Sequence, residues 1–170
     1  SVSLTDIRKS CAETLGPVAC QQRLDGLHGP RLFSVRELRY SQDEALALLE
    51  CPSDEAHDFR SDPAMLNGVL LTSVIFSLVN NPDGSPPFPF SLDRVDYFAP
   101  LPQRAYAYLR RSAHGKEGAV IRHDIDLLDE QGQVLVAFRG LATIAGDAQS
   151  EMLYASPSWR TESLPETDAA

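Results

Sequence analysis

The chain has 170 residues, close to the usual size of one domain, and carries a formal net charge of −9 with an isoelectric point near 4.8. This acidity opposes binding to nucleic acid or to an anionic membrane, because phosphate groups need a concentrated cationic surface. No apolar run approaches the roughly 20 residues of a membrane span, and the N-terminus lacks the basic-then-apolar order of a signal peptide. We therefore expect a cytoplasmic protein with no nucleic-acid or membrane partner.

The N-terminal third contains one predicted helix and two predicted strands. Residues 3–15 are expected to form a short amphipathic helix, with Ser3 as the N-cap and Gly16-Pro17 as the stop signal. Residues 32–40 and 44–51 flank a polar turn and are expected to pair as antiparallel strands. The three cysteines are widely spaced and have no His at ligand spacing, so we expect reduced thiols and no metal site at Cys11, Cys20 and Cys51.

The segment 61–81 is different in kind, because its apolar residues surround the helix axis. Ser61 or Asp62 can cap this helix, and Pro63 suits its first turn. A helix that is apolar on nearly all sides is expected to be buried.

Four β-rich runs follow the central helix and are separated by turn signals, at residues 88–101, 104–113, 119–130 and 133–146. The last two are expected to form a hairpin. A buried helix followed by four long antiparallel strands, with two strands before it, is the element order of an α+β hot-dog fold, in which a curved sheet wraps one helix. We expect this domain to span residues 1–146, with residues 147–170 as a flexible linker.

Four landmarks, taken together in their order and spacing, resemble the C-terminal half of the double hot-dog dehydratase domains of modular polyketide synthases. They are HGP at 28–30, DPAMLNGVLL at 62–71, PFSLDRVDYFAPLP at 89–102 and DIDLLDEQGQVLVAFRGL at 124–141. The sequences of these segments are most similar to those of synthases that use a separate acyltransferase. The resemblance implies an acyl chain carried on the phosphopantetheine of an acyl carrier protein, no bound cofactor and no metal. It implies as partners the carrier protein and a neighbouring hot-dog half or ketosynthase, with a second copy of this chain as an alternative.

The resemblance also assigns site residues, and the sequence departs from the family pattern at three of them. Asn67 stands where the family has its catalytic Asp, His28 where it has Tyr, and Leu71 where it has Gln or His. The family's His-x3-Gly-x4-Pro motif does not occur. Besides Asn67 at the catalytic position, the resemblance implies a substrate-binding set of His28, Gly29, Pro30, Asp62, Pro63, Gly68 and Leu71.

These departures bear on chemistry, because removing water from a β-hydroxyacyl thioester needs an acid that protonates the departing hydroxyl. The amide of Asn67 cannot supply that proton, and Leu71, one helical turn later, cannot orient an acid. One hypothesis is an enoyl isomerase, which only shuttles a proton. The rival is a non-catalytic branching or spacer domain that positions the chain and its carrier beside a ketosynthase. A third is a free-standing hot-dog thioesterase or dehydratase.

Each of these residues also has a purely structural interpretation. An unpaired amide at position 67, among apolar neighbours, would cost about 1–3 kcal/mol, which favours a position lining the substrate channel. Gly68 lowers helix stability by about 1 kcal/mol relative to Ala, so we expect a close neighbour there, either backbone or a pantetheine arm. His28 is better explained as supporting a Gly-Pro turn than as a base.

Overall fold

The computed structural model describes residues 1–24, 32–51, 63–117 and 120–145, with the side chains of 113–117 and 145 left out. Its elements in chain order are α1 (Leu4–Ser10), β1 (Glu13–Leu15), α2 (Pro17–Arg23), β2 (Val35–Tyr40), β3 (Glu44–Glu50), α3 (Pro63–Asn80), β4 (Pro87–Ser91), β5 (Arg94–Tyr97), β6 (Arg104–Glu117), β7 (Val120–Leu128) and β8 (Val134–Ala145).

The strands form one antiparallel sheet in the order β1-β2-β3-β6-β7-β8-β4, and β5 also pairs with β8. The sheet curves around α3, whose apolar side chains form the main core with the inward side chains of β2, β3, β6, β7 and β8. This arrangement confirms the predicted α+β hot-dog fold. The predicted hairpin of the last two strands is β7–β8.

The first predicted helix is wrong in extent. Helix α1 ends at Ser10, and residues 13–15 extend to pair with β2 as an edge strand. The predicted stop at Gly16-Pro17 is the start of α2, with Gly16 at the N-cap and Pro17 in the first turn. Proline has no N–H to lose there and its fixed φ suits a helix start, so the same dipeptide both ends one element and begins the next.

Two strand predictions also change in detail. The strand predicted at 32–40 begins at Val35, and the run 88–101 divides into β4 and β5. Asp93, between the two strands, donates its backbone N–H to the carbonyl of Arg139, so the chain stays attached to β8 while it changes register. The predicted linker at 147–170 lies outside the described residues and stays a prediction.

Helix α3 departs from the expectation that no apolar run approaches the length of a membrane span. Its 18 residues have a mean hydropathy of 1.5, enough by length and composition for a membrane span. However, 61% of the helix is buried inside the protein, where the sheet covers it. The core helix of a hot dog therefore accounts for this composition.

Gly68 allows the closest approach between α3 and the sheet. A Cβ at this position would fall inside van der Waals contact of Ser34 Oγ and 3.0 Å from Leu49 Cδ1. Ser34 is fully buried, and its hydroxyl donates to the Ala64 carbonyl at 2.7 Å. The expected close neighbour of Gly68 is present, but it is a pair of side chains rather than backbone or a pantetheine arm.

We expect Gly68→Ala to lower the free energy of unfolding by about 1–3 kcal/mol, because a core this tightly packed cannot accept a methyl without moving Ser34 or Leu49. Denaturant unfolding measures the change. In a Ser34→Ala background the same substitution should lower the free energy of unfolding by less, because the clashing hydroxyl is gone. Equal losses in the two backgrounds would contradict this packing.

Apolar side chains are exposed along one edge of the sheet, where β4 and β5 lie beside β8. Phe88, Phe90 and Tyr97 are each more than half exposed, and Phe98 follows β5 with 65% exposure. Large apolar side chains exposed near one another are typical of interaction surfaces. This edge of the sheet is therefore a candidate interaction surface on the described part of the chain.

Candidate functional site

The candidate site begins at the first turns of α3, where Asn67 projects. Its side chain is half-buried, and Nδ2 donates a hydrogen bond to the backbone carbonyl of Leu32 at 2.9 Å. The amide is thus neither fully buried nor unpaired, which removes the energetic argument made from the sequence. Because Nδ2 carries two hydrogens, one N–H and the amide oxygen remain without a partner among the described residues.

The other predicted site residues fall in three groups. Pro63 is exposed at the start of α3, whereas Gly68 and Leu71 are buried against the sheet. Leu71 is 7% exposed and belongs to the main core, so it offers nothing polar to position 67. His28, Gly29, Pro30 and Asp62 lie outside the described residues. The structure therefore brings Asn67 together with the segment that follows the predicted turn, and the roles of the remaining residues stay predictions.

The contact with Leu32 fixes which chemical group fits at position 67. A carbonyl oxygen accepts, so the side chain facing it must donate. The NH₂ group of an amide donates at any pH, whereas an ionised carboxylate can only accept and would place two acceptors against each other. Asn67 can therefore hold the segment around Leu32 against α3 and still offer one N–H donor outward, but it has no proton to transfer.

His123 is a second polar group of interest, at the other end of α3. It lies on β7 with 1% of its surface exposed, and its ring meets Phe76 edge-on at 5.7 Å between centroids. Its Nδ1 has no hydrogen-bond partner among the described residues. Burial, with a smaller contribution from Arg111, lowers the pKa of His123 to about 4, against the opposing effect of Asp124. The imidazole is neutral at pH 7.

A cleft of about 330 Å³ opens beside His123. Its lining comes from the end of α3, the start of β4, and strands β6, β7 and β8, and includes Ser77, Asn80, Arg111, Ile121, Arg122 and Thr143. From the sequence, His123 was predicted to lie in a strand and was given no role. Its burial could have been predicted from the alternation of side chains along a strand, because His123 lies two and four residues before Ile125 and Leu127, which both face the core.

His123 does not reach the Asn67 site. Phe76, its neighbour on α3, is nine residues after Asn67, which at 1.5 Å per residue is about 13 Å along the helix. His123 is therefore not the base that would act beside Asn67, and the two ends of α3 carry separate polar groups.

We expect His123 to make the fold less stable in mild acid. Its folded pKa of about 4 lies below the unfolded value near 6.5, so the unfolded state takes up the proton first. The stabilisation is complete above pH 6.5 and is lost as the pH falls to 4, by about 3 kcal/mol. Urea unfolding of the wild type and of His123→Leu across this range tests it. A difference between the two proteins that does not change with pH would contradict a buried neutral imidazole.

Comparison with known proteins decides the family. Residues 1–152 match the model of the polyketide synthase dehydratase N-terminal domain. The chain belongs to this dehydratase family. It is 29% identical over 175 residues to polyketide synthase PksM of Bacillus subtilis, covering 95% of the chain but 4% of PksM. The family description names an N-terminal domain, so it does not support placing this chain in the C-terminal half.

Two solved structures share the fold of this chain. A pyran synthase domain from module nine of the sorangicin pathway is 28% identical with a TM-score of 0.75, covering 86% of this chain and 56% of that one. A trans-AT polyketide synthase dehydratase domain from Brevibacillus brevis is 24% identical with a TM-score of 0.73, covering 86% and 54%. The chain thus spans about half the length of these two solved domains.

Proposed function

We propose that this chain is one hot-dog half of a dehydratase-like domain that shifts the double bond of an enoyl chain on an acyl carrier protein, and does not remove water. The observation that carries the proposal is Asn67, whose amide donates to Leu32 and presents a donor, but no acid, at the start of α3. The chain's span of about half of each matching solved domain supports the pairing of two hot dogs.

Double-bond migration needs a base and a hydrogen-bond donor, but no acid for a leaving group. A base removes a proton from the γ carbon of an α,β-enoyl thioester, the electron pair delocalises onto the thioester oxygen, and the protonated base, which exchanges its proton with solvent, delivers a proton to the α carbon; the reverse reaction returns a proton from the same base to the γ carbon. No bond to oxygen breaks. The remaining N–H of Asn67 is suited to donate to the thioester oxygen as negative charge develops there, an effect that a fixed donor supplies in a site sheltered from water.

The base in this proposal comes from the adjoining hot dog. Within the described residues, the one histidine whose side chain is defined, His123, lies at the far end of α3. The exposed aromatic edge at β4 and β5 is where the other half would pack. We place this chain as the second half because Asn67 falls at the family's Asp position, and we assign the synthase to the type with a separate acyltransferase, in line with the Brevibacillus relative.

The test uses the synthase segment that contains this chain and its neighbouring hot dog. In D₂O, an enoyl pantetheine thioester should gain deuterium at the γ carbon, and Asn67→Leu should slow that exchange about 10- to 10³-fold, as expected for loss of one oriented donor. Mass spectrometry and ¹H NMR measure the incorporation. The variant should keep its unfolding midpoint within a few degrees, which separates lost catalysis from lost structure.

The rival function is a branching or spacer domain that only positions the chain. It predicts no exchange above buffer in either protein and an intact module that still makes product after Asn67→Leu. That pair of results would overturn the isomerase and leave positioning as the function. A free-standing thioesterase would instead release pantetheine from the thioester, which the same mass spectra detect.

A second candidate is cyclisation, favoured by the 28% identity to a pyran synthase domain. In such a cyclisation, a hydroxyl on the ζ carbon loses its proton to a base, its oxygen bonds to the β carbon of the enoyl group, and the α carbon takes up a proton. This reaction also requires no leaving hydroxyl, so Asn67 is compatible with it. A ζ-hydroxy enoyl thioester would lose its alkene signals without a change in mass if the domain closes the ring.

A further inference from the structure

The segment 32–34, which leads into β2, is tied to the first turns of α3 by two side-chain hydrogen bonds. Asn67 Nδ2 donates to the Leu32 carbonyl at 2.9 Å, and Ser34 Oγ donates to the Ala64 carbonyl at 2.7 Å. Positions 64 and 67 are three residues apart and lie on one face of the helix. The two bonds therefore run in opposite directions between the same short segment and the same helix face.

Ser34 is held from several sides. It is fully buried, and its backbone carbonyl accepts from the N–H of Glu50 on β3 at 2.8 Å. Its hydroxyl occupies the space that Gly68 leaves open, because a Cβ at Gly68 would fall inside van der Waals contact of Ser34 Oγ. Phe33, between Ser34 and Leu32, is 7% exposed and belongs to the main core. Ser34 is therefore a fixed point two residues from the Leu32 carbonyl.

The hydroxyl of Ser34 is not needed to satisfy the backbone of α3. In an α-helix the carbonyl of residue 64 already accepts from the N–H of residue 68, and a carbonyl oxygen has two lone pairs. Ser34 Oγ is thus a further donor to Ala64, and its removal leaves no carbonyl of this turn unpaired. What the hydroxyl adds is a tie between segment 32–34 and the turn of α3 that carries Asn67.

The orientation of the Asn67 amide depends on where the Leu32 carbonyl lies. The resonance that flattens a peptide bond also keeps a side-chain amide planar. Once one Nδ2 hydrogen points at the Leu32 carbonyl, the direction of the other hydrogen is therefore set as well. A donor stabilises developing charge best when it is fixed beforehand. A Leu32 carbonyl that moved would let the amide turn and would weaken its free N–H as a donor.

We infer that Ser34 is a positioning residue, which orients the Asn67 amide by holding the Leu32 carbonyl against α3. This goes beyond the proposed function and rests on it only for the effect of Ser34 on a reaction rate. The orientation of the amide is a property of the chain itself and can be measured without turnover.

NMR of the Asn67 side-chain amide, in the ¹⁵N-labelled chain of 170 residues, measures this orientation directly. The NH₂ resonances are assigned by their loss in Asn67→Leu. In Ser34→Ala, the hydrogen-bonded proton should shift towards the position of a free asparagine side chain. It should also exchange with water about 2- to 10-fold faster, as expected when one hydrogen bond is weakened.

Ser73→Ala is the matched control. Ser73 is also fully buried and donates to a carbonyl of α3, that of Leu70 at 2.8 Å, but this bond lies within the helix and does not tie it to segment 32–34. The control should leave the Asn67 resonances unchanged. In the synthase segment, Ser34→Ala should lower kcat for γ-proton exchange about 2- to 10-fold with little change in KM, whereas Ser73→Ala should not.

Asn67 resonances that are the same in wild type and Ser34→Ala would overturn the inference, as would an equal change in Ser73→Ala. If Ser34→Ala does not fold, Ser34→Cys gives the same comparison with a smaller expected change, because a thiol is a weaker donor. Absence of γ-proton exchange in the wild type would overturn the proposed function but would leave the NMR comparison intact. The two proposals can therefore fail separately.

Discussion

The synthase segment that contains this chain is expected to eliminate water from a β-hydroxyacyl thioester about 10²- to 10⁴-fold more slowly than a dehydratase of the same family with a carboxyl at position 67. Hydroxide is a poor leaving group, and the amide of Asn67 has no proton to give it. Mass spectrometry of the thioester detects the loss of water directly. Turnover like that of an ordinary dehydratase would show that the chemistry does not depend on an acid at this position.

Asn67→Asp is the informative control, and the structure predicts an incomplete recovery. The side chain faces the Leu32 carbonyl at 2.9 Å, so an aspartate must stay protonated to keep that contact or must turn away from it. A protonated carboxyl at this position would donate its proton to Leu32, and Leu71 provides no polar group to redirect it. We expect elimination to rise above wild type, but to remain well below that of an intact dehydratase. Asn67→Leu should give no rise.

Asp126→Leu is expected to lower the free energy of unfolding by about 2–4 kcal/mol. The Asp126 carboxylate is 6% exposed and lies between two guanidiniums, those of Arg110 and Arg139, on neighbouring strands. Arg139 Nη2 lies 2.7 Å from Asp126 Oδ1, without the alignment of a hydrogen bond. Removing the carboxylate leaves two cations close together, which is more costly than removing the whole cluster. Both guanidiniums are partly exposed, so water limits the loss.

Asp43→Asn is the matched control, because Asp43 also pairs with an arginine but is 78% exposed, 3.6 Å from Arg111. An exposed pair of this kind contributes about 0–1 kcal/mol. The free energies of unfolding measured in urea should therefore differ clearly between the two variants. Added salt should reduce that difference only slightly. If Asp126→Leu were as mild as Asp43→Asn, the cluster would be solvated rather than structural.

Much of the fold could be predicted because its signals are strong and local. The apolar surface all around 63–80 predicts a buried helix, and the long runs after it predict paired strands. The errors arose where one signal serves two elements. Gly16-Pro17 ends one segment and starts α2, and three residues at 13–15 extend because β2 offers a free edge, which is a tertiary effect that no local pattern contains.

The candidate site was less accessible from sequence. The family resemblance identified Asn67, but its bond to Leu32 joins residues 35 positions apart and depends on how α3 docks. Gly68 was expected to have a close neighbour, and the side chains of Ser34 and Leu49 could not be named without the sheet register. His123 was visible as a polar residue on an inward-facing strand position, yet its cleft is built from five separate elements.

The aromatic edge formed by β4 and β5 bears on how the parent synthase can be divided for expression. Phe88, Phe90 and Phe98 are each more than half exposed on the chain alone, so if a second hot dog packs at this edge, as proposed, a fragment that ends between the two would present these rings to water and to other copies of itself. Fragment boundaries drawn outside both hot dogs should give better yields and cleaner gel-filtration profiles than boundaries drawn between them. Where a single half must be produced, replacing these phenylalanines with polar residues is the natural first step.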